Sequence, residues 1–153
     1  MNIEFEKVTK QNRRKAYKLK VFKNQQKHIE TVYDCIKEAR RCKCWKPTII
    51  KIDNKYVGFA MYGLFKNEGK NGRVWLDRFL IDRNYQNMGY ANLVLPILLE
   101  KIKSEYNYNK IYLSVYEDNY IAIKFYKKLG FNFNGETDIN GELVMFKFFK
   151  EEK

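Results

Sequence analysis

The run Val74-Trp-Leu-Asp-Arg-Phe-Leu-Ile81, the loop Asn84-Tyr-Gln-Asn-Met-Gly-Tyr-Ala-Asn92, and a stripe of Ala91, Val94, Leu95, Leu98, Leu99 and Ile102 follow one another in this chain. No other feature constrains the fold as tightly. The first run is crowded with β-branched and aromatic residues and reads as a strand. The stripe has helical spacing. A strand that feeds a helix through a loop with Gly89 at its tightest point leaves a row of backbone N–H groups unpaired. At the positive end of a helix, such a row binds phosphate. Gln86-x-x-Gly89-x-Ala91 marks the row: Gly89 permits positive φ or close ligand approach, and Ala91 leaves the helix start open. The expectation is a phosphate-bearing cofactor held by the amides of Gln86, Asn87, Met88, Gly89, Tyr90 and Ala91.

The chain has 153 residues, 45% of them hydrophobic and 16% aromatic. It fits one domain, residues 1–153, that buries roughly 70% of its unfolded surface. That composition excludes a disordered chain. No apolar run reaches the roughly 18 residues that a bilayer span needs, and the N-terminus does not read as a secretory signal, so a cytoplasmic protein with no membrane partner is expected. Cys35, Cys42 and Cys44 lack zinc spacing, and His28 is the lone histidine, so no metal site is expected. The net charge of +12 raises the alternative of a basic nucleic-acid-binding module. Its Lys and Arg residues are spread along the chain, with no contiguous run longer than Arg13-Arg14-Lys15, which argues against that alternative.

Residues 2–8 read as a first strand, with Thr9 capping a helix around Arg13 to Lys20. Ile29, Val32, Tyr33 and Ile36 recur at helical spacing and predict a helix over 26–41, with Pro47 closing that region. Thr48–Ile52 and Tyr56–Phe65 form a hairpin turned at Asp53-Asn54, with Gly58 and Gly63 marking bulges or close backbone approach. Pro96 should kink the helix in which it sits. Lys110–Val115 is a strand, Asn119 to Leu129 a helix closed by Gly130, and Phe131–Phe133 with Leu143–Phe149 a final pair turned around Asp138–Gly141. Hairpins at both ends and one parallel βαβ step define a mixed α/β (α+β) domain. The aromatic last strand fits either a homodimer contact or packing within the domain.

Asn119 and Tyr126 lie seven residues apart and project from one helix face. Gln86-x-x-Gly89-x-Ala91, and then Asn119, Ala122, Tyr126, Gly130 and Phe131, resemble the two signature elements of the GNAT superfamily of N-acetyltransferases, in the family order and at the family separation. The resemblance covers essentially the whole chain. Within that superfamily, Gly58–Phe65, Asn71–Phe79, Phe133–Glu136 and Asn140–Glu142 most resemble bacterial spermine/spermidine N-acetyltransferases. The chain departs from many members at Asn87 and Ala91, where they have glycine.

The resemblance implies a mostly antiparallel sheet with one splayed parallel pair and about four helices. It also implies an acetyl-CoA-dependent acyltransferase acting on a primary amine, most often of a polyamine. The coenzyme diphosphate would lie on the amides of Gln86 to Ala91. Its pantetheine arm would run along the backbone of Phe79, Leu80 and Ile81, and Asn119 would touch the arm. Tyr126 would give its proton to the departing thiolate; a phenol of roughly 10 matches a thiol of roughly 8.5. An antibiotic, peptide or protein amine is the alternative acceptor. Asp77 and Arg78 stand mid-strand in an apolar run, where charge is costly unless paired or used. Because neighbouring strand residues face opposite ways, a mutual pairing is not expected, and Asp77 is assigned to the cationic acceptor or to a water relaying its proton. Glu30, Asp34 and Glu38, spaced along one helix face, are the candidates for an acidic cluster at such an acceptor, the alternative being a solvated helix face.

Overall fold

The computed structural model describes residues 1–150. A seven-stranded sheet runs in the order β1-β2-β3-β4-β5-β7-β6, with β1 (Ile3–Lys7), β2 (Trp45–Ile52), β3 (Lys55–Phe65), β4 (Arg73–Ile81), β5 (Lys110–Val115), β6 (Asn132–Thr137) and β7 (Leu143–Phe148). Every neighbouring pair is antiparallel except β4 and β5. Alternation along β2 and β3 sends side chains to two cores. Ile50, Ala60 and Tyr62 pack with Val94, Leu95, Leu98 and Leu99 of helix α3 (Tyr90–Tyr106). Ile49, Phe59 and Met61 pack with Val32, Cys35 and Ile36 of helix α2 (Val32–Arg41). Helices therefore cover both faces of the sheet, as a central sheet with two apolar faces requires.

Both hairpin turns form as read. Asp53 and Asn54 take φ of 49° and 67°, the doubly positive geometry of a two-residue hairpin. Gly58 marks a close approach, because a Cβ there would stand 2.5 Å from the Leu80 carbonyl oxygen. That contact draws β3 against the C-terminal half of β4.

Three local expectations change. The helix at Arg13 is a single turn, α1 (Arg13–Ala16), and Thr9 does not cap it. The Asn12 side chain instead ties back to β1, accepting from Thr9 N at 2.7 Å and donating to Lys7 O at 2.9 Å. The helix expected over 26–41 is two pieces, a 3-10 segment at Lys23–His28 and α2. The break falls at Thr31, whose hydroxyl accepts from Asp34 N at 3.1 Å and starts a new helix. The β2 strand begins at Trp45, ahead of Pro47, which pairs with Met61. Its missing donor falls on the last rung facing β1, where Val8 N still reaches the Pro47 carbonyl at 3.2 Å. Helix α3 includes Pro96, which lies on its exposed face where water can take the freed carbonyl.

Candidate active site

The β4 and β5 strands share one registered pair, Trp75 with Tyr112, and then part. Beyond that gap, β4 leads into the loop entering α3, and β5 leads into helix α4 (Tyr120–Lys128). The loop into α3 has the geometry that its sequence requires. Gly89 is the N-cap residue at φ 79°, and Asn87 is also left-handed at φ 63°. A Cβ at Gly89 would meet nothing within 4 Å, so the glycine serves the backbone angle and not a close protein contact. Among the described residues, the amides of Gln86 to Asn92 donate to no protein acceptor; the first bond of the helix is Leu93 N to Gly89 O, at 3.2 Å. Each N–H can give roughly 1.5–3 kcal/mol to a charged oxygen.

The side chain of Gln86 does a different job. It forms a reciprocal amide pair with Gln25 at 2.9 and 3.0 Å and donates to the Ile81 carbonyl at 2.9 Å. Buried Asp82 accepts from Lys20 N at 2.8 Å and Asn84 N at 3.1 Å. These bonds pin the loop to the segment between α1 and α2, so its amides are held in place before any ligand arrives.

On α4, Asn119 is the N-cap, its Oδ1 accepting from Ala122 N at 3.3 Å. Tyr126 packs against Phe125 at 5.3 Å and Phe131 at 5.7 Å between ring centroids. Among the described residues, its hydroxyl bonds to no protein group. Burial pushes its pKa up, so the phenol stays protonated.

Asp77 and Arg78 overturn the expectation that they would face apart. In the β3–β4 ladder, Met61 pairs with Arg78 and Tyr62 with Leu76, leaving Asp77 as the extra residue of a bulge. A bulge cancels the alternation of sides locally. Arg78 Nη1 stands 3.0 Å from Asp77 Oδ2, and Arg78 Nη2 stands 2.8 Å from Glu30 Oε1. The Asp77 contact is off the hydrogen-bond axis: Asp77 Oδ2 and Arg78 Nε are both buried without a hydrogen-bond partner. Desolvation outweighs the attraction of Arg78 and, with Glu38, Glu30 and Asp138 nearby, pushes Asp77 up to about 6.

Glu30 lies outside α2, before its Thr31 cap, so no helix face presents Glu30, Asp34 and Glu38 together. Glu30 and Glu38 nevertheless act on Asp77, while Asp34 is exposed on the first turn and is not among the leading charges there. The other wall of the cluster was missed from sequence. Glu142, at the start of β7's hairpin arm, is pushed up to about 7 by burial and by Asp138. Tyr116 lies in the same field, its pKa raised by burial and then by Glu142. Beside it, His28 Nε2 lies 2.9 Å from Asp118 Oδ1 and ties the segment before α2 to the start of α4. A groove of about 370 Å³ lined by Ile29, Glu30 and Leu80 opens on the α2 side of β4.

The acetyltransferase (GNAT) family model matches residues 9–131. The chain is 44% identical over 150 residues, 96% of its own length and 99% of the relative's, to the spermine/spermidine N(1)-acetyltransferase of Bacillus subtilis (strain 168). The probable spermine N(1)-acetyltransferase of Bacillus subtilis subsp. natto (strain BEST195) is similar to the same degree. Among solved structures, the spermidine N-acetyltransferase from Vibrio cholerae with CoA and spermine superposes with a TM-score of 0.70 at 16% identity, covering 95% of each chain. An aminoglycoside acetyltransferase in complex with coenzyme A gives a TM-score of 0.77 at 15% identity, over 96% of this chain and 95% of that one. The splayed seven-stranded sheet, the amide row before α3 and these likenesses agree, and the chain belongs to the acetyltransferase (GNAT) family.

Proposed function

We propose that this protein moves the acetyl group of acetyl-CoA onto a primary amine of a polyamine such as spermidine or spermine. The amine attacks the thioester directly, with no covalent enzyme intermediate. The observation that carries the acceptor class is the carboxylate cluster of Asp77, Glu30, Glu38, Asp138 and Glu142, gathered in a chain whose net charge is +12. Acidic residues concentrated on one cleft of a basic protein favour a cationic substrate there. The names of the relatives that match along nearly the whole chain support the same class.

The diphosphate of the coenzyme rests on the free amides of Gln86, Asn87, Met88, Gly89, Tyr90 and Ala91. The pantetheine arm lies against Phe79, Leu80 and Ile81, where β4 has parted from β5, with Asn119 at its far side. Tyr126, held protonated by burial, supplies the proton or hydrogen bond that stabilises the departing thiolate. An acceptor ammonium of roughly 10.4 faces Asp77 at about 6, so direct proton transfer costs roughly 6 kcal/mol. Against an ordinary carboxylate of roughly 3.9 the cost is roughly 9 kcal/mol. The burial that raises Asp77 therefore brings it closer to the work of a proton acceptor, directly or through water.

Release of free thiol from acetyl-CoA tests this reading. Spermidine and spermine should give saturable release, exceeding that with an aminoglycoside or a peptide N-terminus at equal concentration. A preference for either of the latter would move the acceptor class. No release with any amine would end the enzyme reading, and binding of duplex DNA that weakens steeply with salt would then favour a nucleic-acid module.

A further inference from the structure

We propose that Arg78 is a built-in counter-cation of the acceptor cleft, which a cationic amine displaces from Asp77 as it binds. The inference rests on the acetyltransferase reading above and concerns how that site selects its substrate. The bulge at Asp77 is its origin, because it turns two adjacent strand residues toward the same cleft. Among the described residues, Arg78 is the one cation among the leading charges acting on both Asp77 and Glu142; the others are carboxylates. Without it, the empty cleft would hold several like charges at close range, which is costly where water is partly excluded.

The contacts of Arg78 are those of a guanidinium that can leave. A bidentate fork on a carboxylate is the strong arrangement. Arg78 does not make it. Its Nη1 donates at 2.8 Å to the backbone carbonyl of Asp77, and Nε has no partner. Asp77 Oδ2 is left buried without a donor. The second arm goes to Glu30, whose side chain is 51% exposed, while that of Arg78 is 16% exposed. An incoming ammonium can give Asp77 Oδ2 the hydrogen bond it lacks, while Arg78 keeps its exposed partner Glu30. Charge is conserved through the exchange: one cation leaves the Asp77 carboxylate as another arrives. A neutral molecule of the same shape cannot make the trade, so the device favours cationic acceptors.

Arg78→Gln removes the competing cation. The KM for spermidine is expected to fall at least threefold while the KM for acetyl-CoA stays as in the wild type. The acid limb of kcat/KM should also move to higher pH, because Arg78 lowers the Asp77 pKa. The other titratable groups around Asp77 are Cys35 and Glu38 of α2, Glu30 before it, and Asp138 and Glu142 of the last hairpin; Arg78 also lowers the pKa of Cys35, of Glu142 and of Tyr116 after β5, so the substitution moves those three in the same direction as Asp77. A spermidine KM that is unchanged or higher, with the acetyl-CoA KM intact, overturns the exchange. Should Arg78→Gln fail to fold, Arg78→Lys keeps the charge but can hold only one carboxylate at a time. It should also lower the spermidine KM, and a KM at or above the wild-type value would count against the exchange. Absence of thiol release by the wild-type protein is a different failure, that of the acetyltransferase reading itself.

Discussion

In the proposed reaction Tyr126 and Asp77 handle the protons, and burial raises the pKa of both. Tyr126 sits among aromatic rings, with its pKa raised and no protein partner for its hydroxyl, so it enters the proposed reaction as a neutral phenol with a free hydrogen-bond donor. Tyr126→Phe should lower turnover by roughly 10²–10⁴-fold, the usual weight of a positioned acid. Coenzyme A affinity, measured by calorimetry, should stay within about twofold, since the amides and not the phenol hold the diphosphate. Unchanged turnover would reassign Tyr126 to the core. Glu142 tests the electrostatics separately from catalysis. Its folded pKa of about 7 exceeds its ordinary value of 4.5, so between those values the unfolded state binds fewer protons. Stability must then fall as pH rises from about 4.5 to 7 and stay lower above that range. Glu142→Gln should flatten this slope and raise Tm at pH 8 more than at pH 4.5. An equal change at both pH values would contradict the assignment.

At the scale of elements, the stretch before α2 matters as much as the strands. It carries Glu30 to Arg78, Gln25 to Gln86 and His28 to Asp118, joining both walls of the cleft. Thr31 fixes where that stretch ends and α2 begins. Thr31→Ala should cost about 1 kcal/mol in chemical denaturation. Because Glu30 adjoins the cap, it should also change the KM for spermidine more than that for acetyl-CoA. A stability loss with both constants unchanged would separate the cap from the site.

The contrast between this stretch and β4–α3 explains what was legible beforehand. Strand, loop and helix around Gly89 are local patterns, as are the Asp53-Asn54 turn and the Asn119 cap, and the structure keeps all of them. The Asp77–Arg78 pairing was hidden because it depends on a bulge, and a bulge is a property of register with β3. Strand alternation alone puts the two residues on opposite faces. The Thr31 break had a readable signal, a threonine with an acidic residue three positions later, but the apolar spacing of Ile29 and Val32 across it concealed the break. Asp138 and Glu142 reach the cleft through chain folding between β6 and β7, which no short window of sequence contains.

Considered whole, the molecule is a basic protein with an acidic cleft, split where two parallel strands part. Under the proposed function, the amide row takes the diphosphate and the carboxylates take the amine. Had β4 stayed paired with β5 beyond Trp75, the proposed seat of the thioester would be closed; the two strands share a single registered pair. No described helix is long and apolar enough to cross a membrane.

The most direct measurement is a crystal structure of the protein with coenzyme A and spermidine bound together. The diphosphate oxygens should rest on the amides of Gln86 to Ala91, the pantetheine arm should fill the gap beside Phe79 to Ile81, and one spermidine nitrogen should lie within hydrogen-bond distance of Asp77. A diphosphate seated away from those amides, with the loop nitrogens facing solvent and β4 still parted from β5, would contradict that arrangement.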